Sequence, residues 1–273
     1  MRTFLLSALV LVAGIASAGQ RLSLDDLSLL VDLSEPGFSP DGETIVYTAS
    51  QALAQQDLTQ SDLWRVGYDG HGRRRLTDTA EVSEWQPRWS PDGRSIAFLS
   101  DAPADGAKDA EAKTQVWLMP ATGGKPRRLT SPPSGVDDFS WSPDSMRMVL
   151  VVRDAESIAG TPPRKNLLPI VVDRYQSRED GIGYLDHRRN HLMLLDVASG
   201  KSEQITQGAH DEMLPAWSPD GSSIAYVSKR GADPDRHLNF DIYLIQPRAG
   251  ASERQLTSFT GADLDPTWET RPS

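Results

Sequence analysis

The sequence predicts an all-β protein: a partial β-propeller of about four four-stranded antiparallel blades, the first strand of a fifth, and a short N-terminal helix. Three observations carry this. A Trp/Phe-Ser-Pro-Asp signature recurs with its proline at Pro40, Pro91, Pro143 and Pro219, spacings of 51, 52 and 76. A second marker, "RRRLTD", "PRRLTS", "SEQITQ" and "ERQLTS", centred on Leu76, Leu129, Ile205 and Leu256, steps by 53, 76 and 51. Two independent markers share one rhythm, including the same long step, and a period near 50 belongs to a stacked or radial repeat. Finally, 19 Pro and 21 Gly in 273 residues suit many short strands and turns.

In chain order, residues 1–18, "MRTFLLSALVLVAGIASA", read as a secretory signal. One early charge, Arg2, precedes an apolar run from Phe4 to Ile15, too short to span a bilayer, and Ala16-Ser17-Ala18 forms an A-x-A cleavage site. Cleavage after Ala18 implies a periplasmic or secreted chain, with no membrane association afterwards. The 273 residues contain no cysteine, so stability in an oxidising compartment rests on packing. The formal net charge of −10 disfavours phosphate backbones, which excludes nucleic acid as an expected partner.

Residues 19–35 form a lead-in. Ser23 and Asp26 resemble a capping box, and Leu24, Leu27 and Val31 share a helical face, predicting a helix over 24–32 that braces the first blade. The propeller is expected over 36–273, with blades at about 36–83, 84–134, 135–210 and 211–262. In each, a brief strand ends at the aromatic residue. Ser-Pro-Asp-Gly then makes a tight turn: proline presets φ, Asp or Ser bonds nearby backbone, and Gly takes the left-handed conformation. The second strand, as in "SIAFLS", is apolar on both faces and so is buried on both sides. The third strands, such as "SDLWRVGYDG" and "NHLMLLDVASG", lead through Gly-containing hairpins to the "RRLT" strand. The aromatic residue wedges between neighbouring sheets. The third blade has Ser145 where the others have Gly, predicting a different turn there. "DPTWE", ending at Glu269, is read as the first strand of a fifth blade.

The long step comes from an insert at about 155–190 in the third blade. "LPIVVDRYQ" and "IGYLDHRRNHLMLLDV" read as two strands about "REDGIG", a blade hairpin extended beyond its neighbours. Inserts on one rim of a repeat protein often carry function.

Enzyme motifs are absent from the sequence: no G-x-S-x-G elbow, no phosphate-binding glycine loop, no H-E-x-x-H. No catalytic residue and no cofactor is therefore expected. His187 and His191, at i and i+4 on a strand, stand about 13 Å apart, too far to share a metal. They are read as part of an exposed, arginine-flanked strand.

Taken together, the lead-in "LSLDDLSLLVDLSEPGFSPDGETIVY", the "WSPDG…IAF…RRLT" repeats and, most specifically, "VVDRYQSREDGIGYLDHRRNHLMLLDV" resemble the prolyl oligopeptidase family of serine peptidases. The likeness is to its acylaminoacyl-peptidase and dipeptidyl-peptidase-like bacterial members. It implies a propeller that screens peptide substrates from a C-terminal α/β-hydrolase domain carrying the catalytic triad. No residue of the sequence matches that domain. The chain is thus expected to be an N-terminal propeller portion, inactive alone, whose partners are peptide substrate and the hydrolase domain. Arg174, Tyr175, Asp180, Tyr184, Arg188 and Arg189 of the insert are the candidates for touching either. The alternative is a non-enzymatic periplasmic propeller that binds proteins, like that of the Tol envelope system.

Overall fold

The computed structural model describes residues 23–269 apart from 28, 54–55, 81, 104–112, 156–171, 173, 180–182 and 232. The signal-like segment, "LPIV" and Asp180 lie outside the described residues. After helix α1 (Leu24–Leu27), four four-stranded antiparallel sheets follow in chain order. Blade 1 holds β1 (Val31–Phe38), β2 (Thr44–Leu53), β3 (Leu58–Gly67) and β4 (Arg74–Arg75). Blade 2 holds β5 (Glu84–Trp89), β6 (Ser95–Ser100), β7 (Gln115–Pro120) and β8 (Arg127–Arg128). Blade 3 begins with β9 (Asp138–Trp141) and β10 (Arg147–Arg153). A separate hairpin, β11 (Arg178–Glu179) with β12 (Gly183–Tyr184), interrupts it before β13 (Asn190–Asp196) and β14 (Ser202–Gln204). Blade 4 holds β15 (Glu212–Trp217), β16 (Ile224–Ser228), β17 (Asp241–Ile245) and β18 (Arg254–Gln255).

The Ser-Pro-Asp turn owes its recurrence to one serine. The Ser39, Ser90, Ser142 and Ser218 hydroxyls each donate to the aspartate two residues on. Each also accepts the backbone N–H five residues on, at 2.9–3.0 Å. Gly42, Gly93 and Gly221 take φ of 74°, 70° and 70° at the fourth position. The third blade turns the same way, contrary to the expectation: Ser145 adopts φ 61°. Its hydroxyl accepts the Asp92 N–H of the preceding turn at 3.0 Å, which offsets part of the left-handed strain.

The Leu-Thr marker is a clip. The Thr77, Thr130, Thr206 and Thr257 hydroxyls accept the backbone N–H of Leu63, Val116, Leu192 and Ile242 at 2.8–2.9 Å, tying each outer strand to the third strand. The tryptophans stitch blade to blade. Indole Nε1 of Trp89 donates to Gly37 O, Trp141 to Arg88 O, and Trp217 to Ser140 O, at 3.2–3.3 Å. Each acceptor immediately precedes the aromatic residue of the blade before. Trp268 repeats the bond on Ala216 O at 3.1 Å. Around it no strand forms among residues 263–269, so the predicted first strand of a fifth blade is present only as its docked tryptophan.

Consecutive sheets stack through period-2 faces. From β10, Met148, Leu150 and Val152 join Leu99, Val116 and Leu118 of blade 2. Val149 and Val151 of the same strand join Trp217, Ile224 and Tyr226 of blade 4. Val46 and Leu63 pack on Ile96, Phe98 and Met119 across the first seam. The helix is shorter than the apolar spacing suggests. The Asp26 carboxylate accepts the Ser23 N–H at 2.7 Å and the Ser23 hydroxyl at 2.8 Å, which is the carboxylate half of the expected capping box, but α1 ends at Leu27. Val31 already pairs with Gln51 as a strand, because the ladder to β2 satisfies more backbone groups than another helical turn.

Candidate rim site

Antiparallel blades send the β1–β2-type turns and the third-to-fourth hairpins to one rim. The second-to-third and fourth-to-first connections go to the other. The first rim is built from stacked Ser-Pro-Asp turns, with Pro40 3.7 Å from a Cβ placed at Gly93 and Pro143 3.7 Å from one at Gly221. The second rim carries the insert of blade 3 and the β16–β17 loop of blade 4. Between them lies a cleft of about 280 Å³, with Met213, Leu185 and Phe240 as its apolar surfaces.

Ion pairs hold the cleft's walls. The Arg174 guanidinium grips Asp235 with two bonds, 3.1 and 2.7 Å, and donates to Asp186 O at 2.5 Å. The Arg174 and Asp235 side chains are only 10% and 14% exposed. Bidentate pairing in so dry a place is strong and geometrically specific. The Arg174 bonds are the largest cause pulling the Asp235 carboxyl below its usual range. Asp186 also takes Arg188 Nε at 2.7 Å and Arg153 Nη2 at 3.0 Å. Arg189 pairs with Asp211 at 2.9 Å, and the other Asp211 oxygen accepts the Asn190 N–H.

The insert therefore differs from the long blade hairpin expected. Its described strands are two residues each, and arginine–aspartate pairs rather than a ladder fasten it to blade 4. Arg174, Arg188 and Arg189 come together on the cleft. Tyr175 and Tyr184 lie on the exterior, 68% and 53% exposed, under the guanidiniums of Arg236 and Arg178 at 4.5 and 5.7 Å. Asp180 belongs to the residues not described.

Beneath the rim runs a buried polar layer that the sequence reading missed. The residue before each clipped N–H is Asp62, Gln115, His191 or Asp241, all buried. His191 was read as exposed. Its Nδ1 instead lies 2.9 Å from Glu212 Oε2, and its Nε2 3.5 Å from Asp154. Glu212, also buried, accepts the Thr206 hydroxyl at 2.9 Å. Gln115 takes the equivalent Thr130 hydroxyl at 2.8 Å in the seam where Val136 replaces the glutamate. Aligning the four blades on the Leu-Thr clip reveals this station as a polar residue before an apolar strand. Among the described residues, no group of three or more acidic or histidine side chains is placed to hold a metal.

No family model matches the chain. It is 31% identical over 235 residues to an uncharacterized peptidase of Bacillus subtilis, YuxL, covering 82% of this chain and 34% of the relative. It is 29% identical over 273 residues to dipeptidyl-peptidase 5 of Porphyromonas gingivalis, covering 92% and 37%. The chain thus spans about a third of the length of these relatives. Among solved structures, acylaminoacyl peptidase of Pyrococcus horikoshii matches with a TM-score of 0.62 at 18% identity, over 85% of this chain and 33% of that one. A TolB-type protein of Agrobacterium tumefaciens matches with a TM-score of 0.51 at 17% identity, over 85% and 82%. The structural likenesses establish the propeller fold, and these two sequence relatives carry peptidase names. In fold this chain is a β-propeller, and in sequence it is similar to bacterial peptidases over most of its length.

Proposed function

We propose that this chain is the substrate-screening propeller of an exported serine peptidase, without hydrolytic residues of its own. The observation that carries the reading is the sequence likeness to peptidases over most of the chain, joined to the insert cleft on the rim. In this reading the half-buried Arg188 and the exposed Tyr175 and Tyr184 touch peptide or the hydrolase domain. Arg174 and Arg189 hold the surface in place from below. The second reading, a protein-binding propeller of the TolB type, is favoured by the 82% coverage of the Agrobacterium protein.

The test is direct. The purified chain is expected to leave dipeptidyl and acylaminoacyl p-nitroanilides uncleaved, and to bind fluorescein-labelled unfolded casein peptides more weakly after Arg188→Ala or Tyr184→Ala. Hydrolysis abolished by a serine-directed inhibitor overturns the reading. Unchanged peptide binding in both variants removes the rim from it, and a chain that binds no peptide favours the TolB-type alternative.

A further inference from the structure

We propose that His191 is a proton-operated lock between blades 3 and 4, set under the rim cleft. His191 stands on β13 with a carboxylate facing each ring nitrogen: Glu212 of β15 at 2.9 Å from Nδ1, and Asp154 of the segment after β10 at 3.5 Å from Nε2. A neutral imidazole has one N–H and satisfies one of these acceptors; only the cation donates to both. The ring is buried, so a missing donor is not replaced by bulk water.

Other charged groups close the site. Asp211 lies next to Glu212 and pairs with Arg189 from the ring's own chain segment. Behind Glu212, its Oε1 is 3.3 Å from His210 Nε2 and 3.6 Å from Arg230 Nη2. Arg230 is itself paired with Glu253 at 2.5 Å and lies over Tyr243. The groove on the other side of His191 is lined by Ser131, Ser134 and Gln204 and by the charged Arg153 and Asp154, with Arg153 paired to Asp186. Burial opposes the charge on His191, but Glu212, Asp154 and Asp211 together outweigh it and lift the ring above the ordinary histidine value. His210 goes the other way, lowered by burial and by Arg230.

The lock reaches the cleft through covalent neighbours. Asp154 Oδ2 accepts the Arg189 N–H at 3.0 Å, and the Asp154 N–H donates to Arg189 O at 2.7 Å. Arg189 and Asp211 line the cleft. A raised histidine contributes stability that is complete below its unfolded value, near 6.5, and is lost as pH rises through the folded value. The seam is therefore tight in mild acid and loosens above neutrality, releasing Asp154 and with it the Arg189 wall.

The experiment is a ring-nitrogen NMR titration of the full chain, with amide hydrogen exchange measured across the same pH range and corrected for the intrinsic chemical rate. The His191 midpoint is expected above the ordinary histidine value, with both nitrogens protonated below it. Protection of β13 and β15 amides should fall several-fold as pH passes that midpoint. His191→Gln should abolish this pH dependence, and His210→Asn should leave it in place. A midpoint at or below the ordinary value overturns the lock, as does pH dependence that survives in His191→Gln. If that variant fails to fold, the wild-type titration still decides. None of these readouts involves peptide, so the lock and the proposed rim function fail separately.

Discussion

Glu84 stands at the head of β5 with 4% of its surface exposed, and one of its carboxylate oxygens has no hydrogen-bond partner. Burial is the largest cause that pushes its carboxyl up to about 7, with nearby Asp62 and Asp101 adding to it against the Thr79 and Thr77 hydroxyls. The sign follows from proton linkage. The folded chain holds this proton more tightly than the unfolded chain, so stability falls as pH rises from about 4.5 to about 7 and then levels off. Glu84→Gln keeps the shape and removes the charge. It should remove that decline and stabilise the protein at pH 8 by on the order of 3 kcal/mol. Urea unfolding of both proteins at pH 5 and pH 8 checks it; an equal loss of stability between the two pH values in the variant would contradict the assignment. The turn aspartates act in the opposite window. The Ser218 hydroxyl is the largest cause holding Asp220 at about 2, so its contribution is present at neutrality and lost in strong acid.

At the scale of the element, the indole stitch and the inner-strand bulge explain why the blades share a signature. Glu35, Gln86, Leu214 and Asp265 all take φ between 51° and 55°, each three residues before the aromatic residue and each followed by proline. The ladders of β1, β5 and β15 slip at this point. Proline there leaves no N–H on the open edge of the inner strand, a guard against stray strand pairing. Blade 3 has Phe139 instead, no slip, and a Phe139 N–H that is covered by the Asp138 carboxylate at 2.7 Å. Asp138 also takes Gln86 and Arg88 from the neighbouring blade. Trp217→Phe keeps the ring that packs in the seam and deletes its one N–H, leaving Ser140 O with one donor fewer. The expected cost is about 1 kcal/mol, read from thermal or urea unfolding; a loss of several kcal/mol would mean that packing, not the stitch, had been disturbed.

These same elements mark what the sequence could and could not tell. The blades were legible because the Ser-Pro-Asp turn and the Leu-Thr clip are local: the residues that bond are five or fewer apart, or one hairpin apart, and they leave a written period. The proline two residues before the aromatic residue, present at Pro36, Pro87, Pro215 and Pro266 and replaced by Phe139 in blade 3, was equally legible and belongs to the same period. The buried station of Asp62, Gln115, His191 and Asp241 was not, since its residue types differ and so do their partners: Arg75, Thr130, Glu212 and Gln255. The insert was readable as an insert, and its arginines as neighbours. Its fastening to Asp235, 61 residues away from Arg174, has no signature in either segment alone.

At the scale of the whole molecule, the stack of sheets has two unlike faces at its ends. On blade 4, Ala225 and Val227 of β16 point away from blade 3 yet are buried, and Trp268 is bonded to Ala216 O beside them. On blade 1 the corresponding sheet face is open. Leu33 is 64% exposed, and with Val31, Tyr47 and Trp64 it lines a depression of about 330 Å³, edged by Arg73 and Arg75. In blade 2 the matching side chains, Phe98 and Trp117, pack on blade 1. An apolar sheet face of this kind favours association through that face. The chain should therefore show concentration-dependent self-association in sedimentation velocity. Leu33→Lys should reduce it while changing stability by less than about 0.5 kcal/mol, because the side chain it replaces is already in water. Association that persists unchanged in this variant would move the sticky surface elsewhere, the exposed Leu238 and Phe259 of blade 4 being the next to test.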